Sequence, residues 1–317
     1  MISILIPVND YDIVALVHCM KTGIEKVQDY CEILIGDDGS SEDYREKYLS
    51  LVGEKVRVIS SEKNVGRAAI RNKLISEARG DHLLIIDSDT MVRGTAESYL
   101  QKWLGFTGTA RVICGGVLYH GNPPGDPDKI LRWKYGKRKE QVDANARNKR
   151  PHGSFSTFNV MLEKSIFSKI RFYEELRQYG HEDTLFGYQL KKAGIDVLHI
   201  DNELIHEGLE SNKEYLAKTK LSIENLSKLY DIVTDIKTLS ETVSLLAQYR
   251  RLKFLRLTRI FAGLFIRYRD RMERQLDSAN PSLHLFRFYK ISMFSTYREI
   301  HGRRKGLIPF LKPPADL

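Results

Sequence analysis

The chain has 317 residues, 42% of them hydrophobic and 29% charged, which is globular by composition and enough to bury at least one sizeable core. A formal charge of +9 at pH 7, with a pI near 9.2, points to an anionic partner such as nucleotide phosphates, nucleic acid or a membrane surface. Three cysteines, Cys19, Cys31 and Cys114, are odd in number and lack CxxC spacing, so a disulfide framework and a thiolate zinc site both lack support and a reducing compartment fits better.

Along the chain, "MISILIPV" is apolar but has no basic leader and no small-residue cleavage site, and Pro7 and Asn9 stop it early. It reads as a strand, not a signal peptide. Further apolar runs follow at 32–38, 55–60 and 82–89, separated by helical stretches. Continuous rather than alternating runs predict strands covered on both faces, as in the parallel sheet of an α/β protein. The segment "GRAAIRNKLISEARG" places Ala69, Ile70, Leu74, Ile75 and Ala78 at helical spacing, with Gly80 expected just past the helix end.

A strand is predicted over 110–119, a loop over 121–127, and a mobile polar excursion over 134–152. After it come a strand in "FNVML", helical patterns in "EKSIFSKI" and "HEDTLFGYQLKKAG", a strand in "IDVLHI", and long helices from about Ser211. There is no internal repeat. No uncharged apolar stretch approaches the roughly 18 residues of a membrane span, so the expected protein is soluble, or lies on a membrane without crossing it.

Two predicted strands end in acidic groups, Asp37 and Asp38 in "ILIGDDGSSED" and Asp87 and Asp89 in "LLIIDSD". Ligands of open parallel sheets bind at the carboxyl ends of the strands. The ordinary reading makes one of Asp37 and Asp38 a cap for a helix around 41–50, and a chain of this length holds about one D-x-D by chance. Position gives the triplet its weight: neighbouring carboxylates at that edge repel unless a cation lies between them. Mg²⁺ and Mn²⁺ commonly join one or two carboxylates to a substrate's phosphates.

"SILIPVND", "EILIGDDGSSED", "NVGRAAIRNKLISEARGDHLLIIDSD" and "GHEDTLFGYQLKKAG" resemble, in order and spacing, the successive motifs of the family 2 glycosyltransferases, over residues 1–210 or so. The resemblance implies a GT-A fold, a Rossmann-like mixed α/β sheet, as a catalytic domain over 1–215, with a basic helical extension over 216–317. It further implies that Pro7, Val8 and Asp38 hold the uracil of a UDP-sugar. Asn9 stands where the family often has an aromatic residue, with Tyr11 two places later.

By the same resemblance Arg71 lies near the nucleotide, in a helix opened by Asn64 and Gly66, whose backbone amides favour anionic or polar ligands. Asp87, Ser88 and Asp89 match the D-x-D motif, Asp89 touching a Mn²⁺ or Mg²⁺ ion directly and Asp87 nearer the ribose and counted with the metal ligands. His206, in "ELIHEG", falls where many GT-A enzymes have a third metal ligand. Gly153, Ser154 and Asn159 are expected near the sugar. The general base is expected at Asp183, with Glu182 contacting the acceptor or supporting the site. Acidic residues also favour a helix N-terminus for electrostatic reasons alone, and isolated histidines are more often surface or core residues than ligands.

The basic excess is confined to the tail, where 16 Lys+Arg face 5 Asp+Glu from Arg250 to Leu317, leaving −2 for residues 1–249. Within 250–276, Phe254, Leu257, Phe261, Leu264, Phe265 and Tyr268 form one helical stripe, with Lys253, Arg256, Arg259, Arg267, Arg271 and Arg274 on the other side. Residues 284–306 repeat the theme. This is the pattern of an interfacial helix on anionic lipid, or of a stripe packed on protein with solvated charges.

The leading expectation is thus a metal-dependent, inverting glycosyltransferase of surface-polysaccharide type. It would move a sugar from a nucleotide donor, UDP-linked by the resemblance, to a hydroxyl of a glycan or lipid-linked acceptor. It is expected to be cytoplasmic, at most peripheral on the membrane through 250–306, with no nucleic-acid partner and with a homo-oligomer left open. A sugar nucleotidylyltransferase would carry a Gly-rich basic loop after the first strand, and "PVNDYDIVAL" has neither glycine nor lysine. A non-enzymatic membrane or nucleic-acid binder would use the tail alone and leave the gathered carboxylates unexplained.

Overall fold

The computed structural model describes residues 1–27, 31–176 and 179–303. In chain order these form β1 (Ile2–Val8), α1 (Val14–Lys26), β2 (Cys31–Asp37), α2 (Glu42–Ser50), β3 (Val56–Ser60), α3 (Arg67–Glu77), β4 (His82–Ile86), β5 (Thr90–Val92), α4 (Ala96–Phe106), β6 (Val112–Cys114) and β7 (Val117–Leu118). Then follow α5 (Ile130–Tyr135), α6 (Ala144–Asn148), β8 (Asn159–Glu163), α7 (Glu182–Lys192), β9 (Val197–His199), β10 (Leu204–His206), α8 (Asn212–Ile232), α9 (Ile236–Thr242), α10 (Ser244–Phe254), α11 (Thr258–Leu276) and α12 (Leu283–Arg303). Two compact units result, one of 1–120, 140–177 and 185–208, the other of 121–139, 178–184 and 209–317. The helical unit therefore takes in two earlier segments that a division at residue 215 places with the sheet.

The first unit is built on a seven-stranded sheet of order β3-β2-β1-β4-β8-β6-β9. β3, β2, β1 and β4 are mutually parallel, and β8 runs antiparallel between β4 and β6. The continuous apolar runs feed two cores, because successive side chains of a strand point to opposite faces. Ile4, Ile6, Ile33, Ile35, Leu84 and Ile86 pack with Val17 and Met20 of α1 and Leu100 and Trp103 of α4. Leu5, Leu34, Leu83 and Ile85 pack with Leu74 and Ile75 of α3 and with Phe186 and Leu190 of α7. Full burial of each such side chain contributes about 1.5–3 kcal/mol. Polar residues in these strands find partners within the protein, as Ser3 does by donating to Glu32 at 2.7 Å.

Several sequence expectations change. The run 110–119 is not one strand: β6 joins the large sheet and β7 a small sheet of order β5-β10-β7. Gly115 and Gly116 make the switch, Gly116 with φ +90, and a Cβ on Gly115 would lie 2.5 Å from the Asn159 amide. Gly80 is not the helix-ending residue, since α3 closes at Ala78 in an extended conformation. What Gly80 supplies is space, as a Cβ there would lie 2.8 Å from the Met1 carbonyl and the Ser3 amide. "EKSIFSKI" forms only a short 3₁₀ segment, Lys164–Ser168.

The stretch 134–152 is ordered rather than a free excursion. It carries the end of α5, a π-helical turn over Gly136–Glu140 and α6, whose buried Arg147 donates to the carbonyls of Cys114 (3.3 Å) and Ile200 (2.8 Å). The same guanidinium donates to Nδ1 of His199 at 3.2 Å, while Nε2 of His199 reaches the Pro151 carbonyl at 2.9 Å. That arrangement requires a neutral ring.

In the second unit, α8 opens with a capping box of Ser211 and Glu214, and α11 and α12 form a hairpin. Here the predicted aromatic stripe divides. Phe261 and Phe265 turn onto Phe288 and Tyr289 of α12, with ring centroids 5.3 and 5.4 Å apart. The helix is not continuous over 250–276, because the chain breaks at Leu255–Leu257, and Phe254 and Tyr268 remain exposed. Residues 304–306 of the second aromatic-basic stretch lie outside the described residues.

Burial, together with the charges of Arg147 and His152 against the opposing Pro151 carbonyl, lowers the His199 pKa to about 4 from the usual 6.5. The unfolded chain therefore binds more protons than the native one between these values, and stability falls as pH drops from 6.5 to 4. Urea titrations across this window should show a loss approaching about 1.4 kcal/mol per pH unit from this group, and His199→Gln should flatten that slope.

Candidate functional site

The parallel strands β1, β2 and β4 end at one edge of the large sheet, and the acidic groups emerge there. Asp37 accepts the Ser40 amide on Oδ1 (2.9 Å) and pairs with Arg45 on Oδ2 (3.4 Å). It holds the turn into α2, while Ser41 is the residue at the helix cap. Asp38, also buried, donates its backbone N–H to the Val8 carbonyl (2.9 Å). Its carboxylate spans the loop before α3: Oδ1 accepts from Val65 N (2.7 Å) and Oδ2 from Gly66 N (3.1 Å). Burial raises the Asp38 pKa against these two hydrogen bonds, with the charge of Asp37 adding to the rise. Pro7 and Val8, at the end of β1, thus share one corner with Asp38, and Gly66 with φ +95 sits directly before α3. Asn64 is exposed in the same loop.

Past β4 the chain turns through Asp87, Ser88 and Asp89 into β5, and the two carboxylates part. Asp87 Oδ1 receives the Arg71 guanidinium at 3.2 Å, and its backbone N–H bonds the Phe158 carbonyl. Arg71 is buried within α3 and lies over the Phe172 ring, so it is a core residue of the site and not a surface helix residue. The protein around Asp87 raises its pKa, opposed by Arg71 and reinforced by Asp89. Asp89 Oδ2 faces His206 Nε2 at 3.5 Å, joined through β5–β10 pairing and the Glu207 N–H to Asp89 carbonyl bond of 2.9 Å.

Sequence reasoning missed the residues that orient His206. Its imidazole is stacked between Tyr119 (centroids 5.3 Å, 25°) and Phe158 (5.6 Å, 23°). It missed Gly208 as well, where a Cβ would lie 2.2 Å from Asp89 Oδ2. None has a local signature, because β7, β8 and β10 meet there only after the sheets form. Tyr11 belongs to this region too: burial raises its pKa first, then the charges of Asp89 and Glu207.

Among the described residues no group of three or more His, Cys, Asp and Glu is arranged to hold a metal. The protein offers a pair, one carboxylate oxygen and one imidazole nitrogen, with Asp89 packed closely against Gly208. The carboxylate suits Mg²⁺ and Mn²⁺ and the imidazole suits transition ions, so the pair accommodates a divalent ion completed by phosphates and water; Asp87 is directed to Arg71 instead.

The expected sugar-proximal residues fare unequally. Gly153 and Ser154 lie in a short turn, with Gly153 exposed. Asn159 is buried and fully engaged, accepting from the Tyr99 hydroxyl (2.7 Å) and donating both amide hydrogens, to Gly116 O (3.1 Å) and Asn202 O (2.8 Å). It bolts β8 to the Gly115–Gly116 turn, with both amide hydrogens engaged within the protein.

Glu182 and Asp183 begin α7, in a segment that belongs to the helical unit. Gly180 (φ +93) and His181 (φ +73) make the sharp entry, and the buried Asn225 of α8 holds it by donating to the carbonyls of Tyr179 (3.3 Å) and Gly180 (3.2 Å). Glu182 is buried and Asp183 half-buried, with Asp183 Oδ1 accepting the Thr184 N–H at 2.7 Å. Burial, with Lys290 adding and Glu182 opposing, lowers the His181 pKa to about 4, so the ring beside the carboxylates is neutral at pH 7.

The family described as "Glycosyl transferase family 2" matches residues 3–171. Glycosyltransferase GlyG of Streptococcus pneumoniae serotype 4 is 30% identical over 95 residues, 29% of this chain and 31% of that protein. EpsH of Bacillus subtilis, provisionally named a glycosyltransferase, is 26% identical over 240 residues, 74% of this chain and 67% of that protein. The chain thus spans less than a third of the pneumococcal relative. Among solved structures, GalNAc-T7 with UDP, GalNAc and Mn²⁺ superposes with a TM-score of 0.50 at 15% identity, covering 74% of this chain and 48% of that one.

Asp38→Ala would leave the Val65 and Gly66 amides without their carboxylate acceptor. The expected loss is about 1–3 kcal/mol in chemical denaturation, and Asp38→Asn, which keeps one acceptor oxygen, should lose less.

Proposed function

The chain belongs to glycosyl transferase family 2 and has the GT-A fold; from that premise we propose that it transfers a sugar from a UDP-sugar to a hydroxyl of a growing glycan or lipid-linked acceptor, with Mn²⁺ or Mg²⁺ and with inversion at the anomeric carbon. The observation that carries this reading is the pairing of Asp89 with His206 at 3.5 Å, at the carboxyl edge of the parallel strands where ligands of such sheets bind. The Mn²⁺ and UDP in the GalNAc-T7 structure support the choice of ion and donor.

Asp89 and His206 would hold the ion, which when bound supplies positive charge to a diphosphate leaving group. Arg71, buried beside Asp87, adds a permanent charge to the same rim. The corner of Pro7, Val8 and Asp38 would receive the base. Asp183 would take the proton from the acceptor hydroxyl as its oxygen bonds the anomeric carbon and the bond to the diphosphate breaks. A single displacement with one base inverts the configuration. Neutral His181 next to the carboxylates does not compete with Asp183 as a charged partner. Glu182 would support the acceptor.

Incubating the protein with a panel of nucleotide sugars and Mn²⁺ or Mg²⁺ should give donor-induced thermal stabilisation and nucleotide release with at least one UDP-sugar. Chelation should abolish both, and so should Asp89→Ala; a response untouched by either removes the metal reading. Asp183→Ala is expected to keep donor stabilisation while losing about 10²–10⁴ in transfer rate. Equal loss of binding and transfer would remove it from the role of base.

Gly208→Ala probes the same pair without touching a ligand. Its methyl group would displace the Asp89 carboxylate, and calorimetric titration with Mn²⁺ alone should show at least about tenfold weaker binding, on the scale of losses around metal ligands.

A further inference from the structure

The break between α10 and α11 has the form of a closed elbow. Leu257 N–H bonds the Leu252 carbonyl (2.9 Å) and Arg256 N–H the Lys253 carbonyl (3.1 Å), the two bonds of a Schellman helix end. Glycine usually occupies the left-handed position of that motif; this chain has Arg256 there, with φ +57. The elbow holds Phe254 and Leu255 outward, 87% and 59% exposed, and α11 adds Ile260 (57%), Ile266 (71%) and Tyr268 (47%). The other exposed large apolar residues among those described, such as Leu49, Met91 and Leu221, lie elsewhere in the chain. Arg251, Lys253, Arg256, Arg267 and Arg271 are exposed on the same two helices and the turn between them.

Only part of the aromatic stripe visible in the sequence makes this surface: Phe254 and Tyr268 remain exposed, while Phe261 and Phe265 face α12. Leu255, Ile260 and Ile266, from outside that stripe, add to it.

We propose that the α10–α11 elbow docks on an anionic lipid bilayer. Exposed apolar side chains interleaved along the chain with exposed cations match such a surface twice, by insertion at the acyl boundary and by attraction to acidic headgroups. A soluble polyanion would be served by the arginines and would leave Phe254 in water. The proposal deepens the reading of a lipid-linked acceptor, and rests on it only for its purpose, because docking is measured without donor or turnover.

The test is co-sedimentation of the full chain with vesicles of phosphatidylcholine alone and of phosphatidylcholine with phosphatidylglycerol. Binding should require the anionic lipid and weaken with salt. The double variant Phe254→Ser, Ile266→Ser should bind about tenfold or more weakly. Arg256→Gly suits the helix end better, so its melting temperature should hold or rise while vesicle binding falls about fivefold. In Phe254→Trp, emission should shift to the blue on adding anionic vesicles. Nucleotide release with a soluble acceptor should be unchanged in all of them, which separates failure of docking from failure of the transfer reading.

Equal binding to neutral vesicles, or parental binding by the double variant, overturns the proposal. So would a dimer in sedimentation that dissolves on Phe254→Ser without any vesicle binding, which assigns the patch to a second copy. Tight binding of single-stranded RNA that survives Phe254→Ser and displaces the vesicles would assign it to nucleic acid.

Discussion

Two carboxylates at the end of a buried strand repel each other, and the arrangement of the sheet unit at its ligand edge depends on how that repulsion is resolved. Each aspartate has its own nitrogen partner: Arg71 from α3 for Asp87, His206 from β10 for Asp89. For Arg71 to reach the edge, α3 must start close to the strand ends, and the Asp38 carboxylate fixes that start by holding the Val65 and Gly66 amides. For His206 to reach it, the small sheet must fold across the turn after β4, which the β5–β10 pairing and the Tyr119–His206–Phe158 stack secure. These segments are distant in sequence and meet at the two aspartates, Arg71 at Asp87 and His206 at Asp89.

The division of labour between the two units follows the same logic. The groups proposed to bear on a nucleotide lie on the sheet unit, where strand ends are held by ladder hydrogen bonds on either side. The proposed base lies on a short segment that belongs to the helical unit, clamped by Asn225 of α8. Constellations held on strands and helices keep tighter geometry than those on loops, and a buried amide bridging two carbonyls makes this loop an extension of α8. With Asp183 as base, the helical unit carries chemistry as well as the basic surface.

Much of this architecture is legible in the order of the amino acids. Four apolar runs without alternation require strands covered on both faces, and acidic pairs directly after two of them require a polar edge. The family resemblance then assigns roles that neither periodicity nor composition can give. Gly80 marks where such reading misleads, and Asn159 where it is incomplete. Local pattern offers one explanation for a glycine after a helix, a left-handed end, yet at Gly80 the reason is the nearness of β1, which lies far away in sequence. Asn159 follows a polar turn, the ordinary place for a ligand-binding amide, and its partners Tyr99, Gly116 and Asn202 come from three separate segments.

The sequence by itself determined which residues could be buried and which had to meet water, because hydrophobic periodicity is a property of the chain and transfers directly into strands, helices and a basic tail. Tertiary structure alone decided what each polar group faces. Whether Arg71 lies on the surface or under a carboxylate, whether a histidine stands between two rings, and which half of an aromatic stripe remains in water all depend on contacts between segments far apart in the chain. Such contacts leave no trace in the spacing of neighbours, since hydrogen bonds and ion pairs act over a few ångströms in space whatever the distance along the backbone.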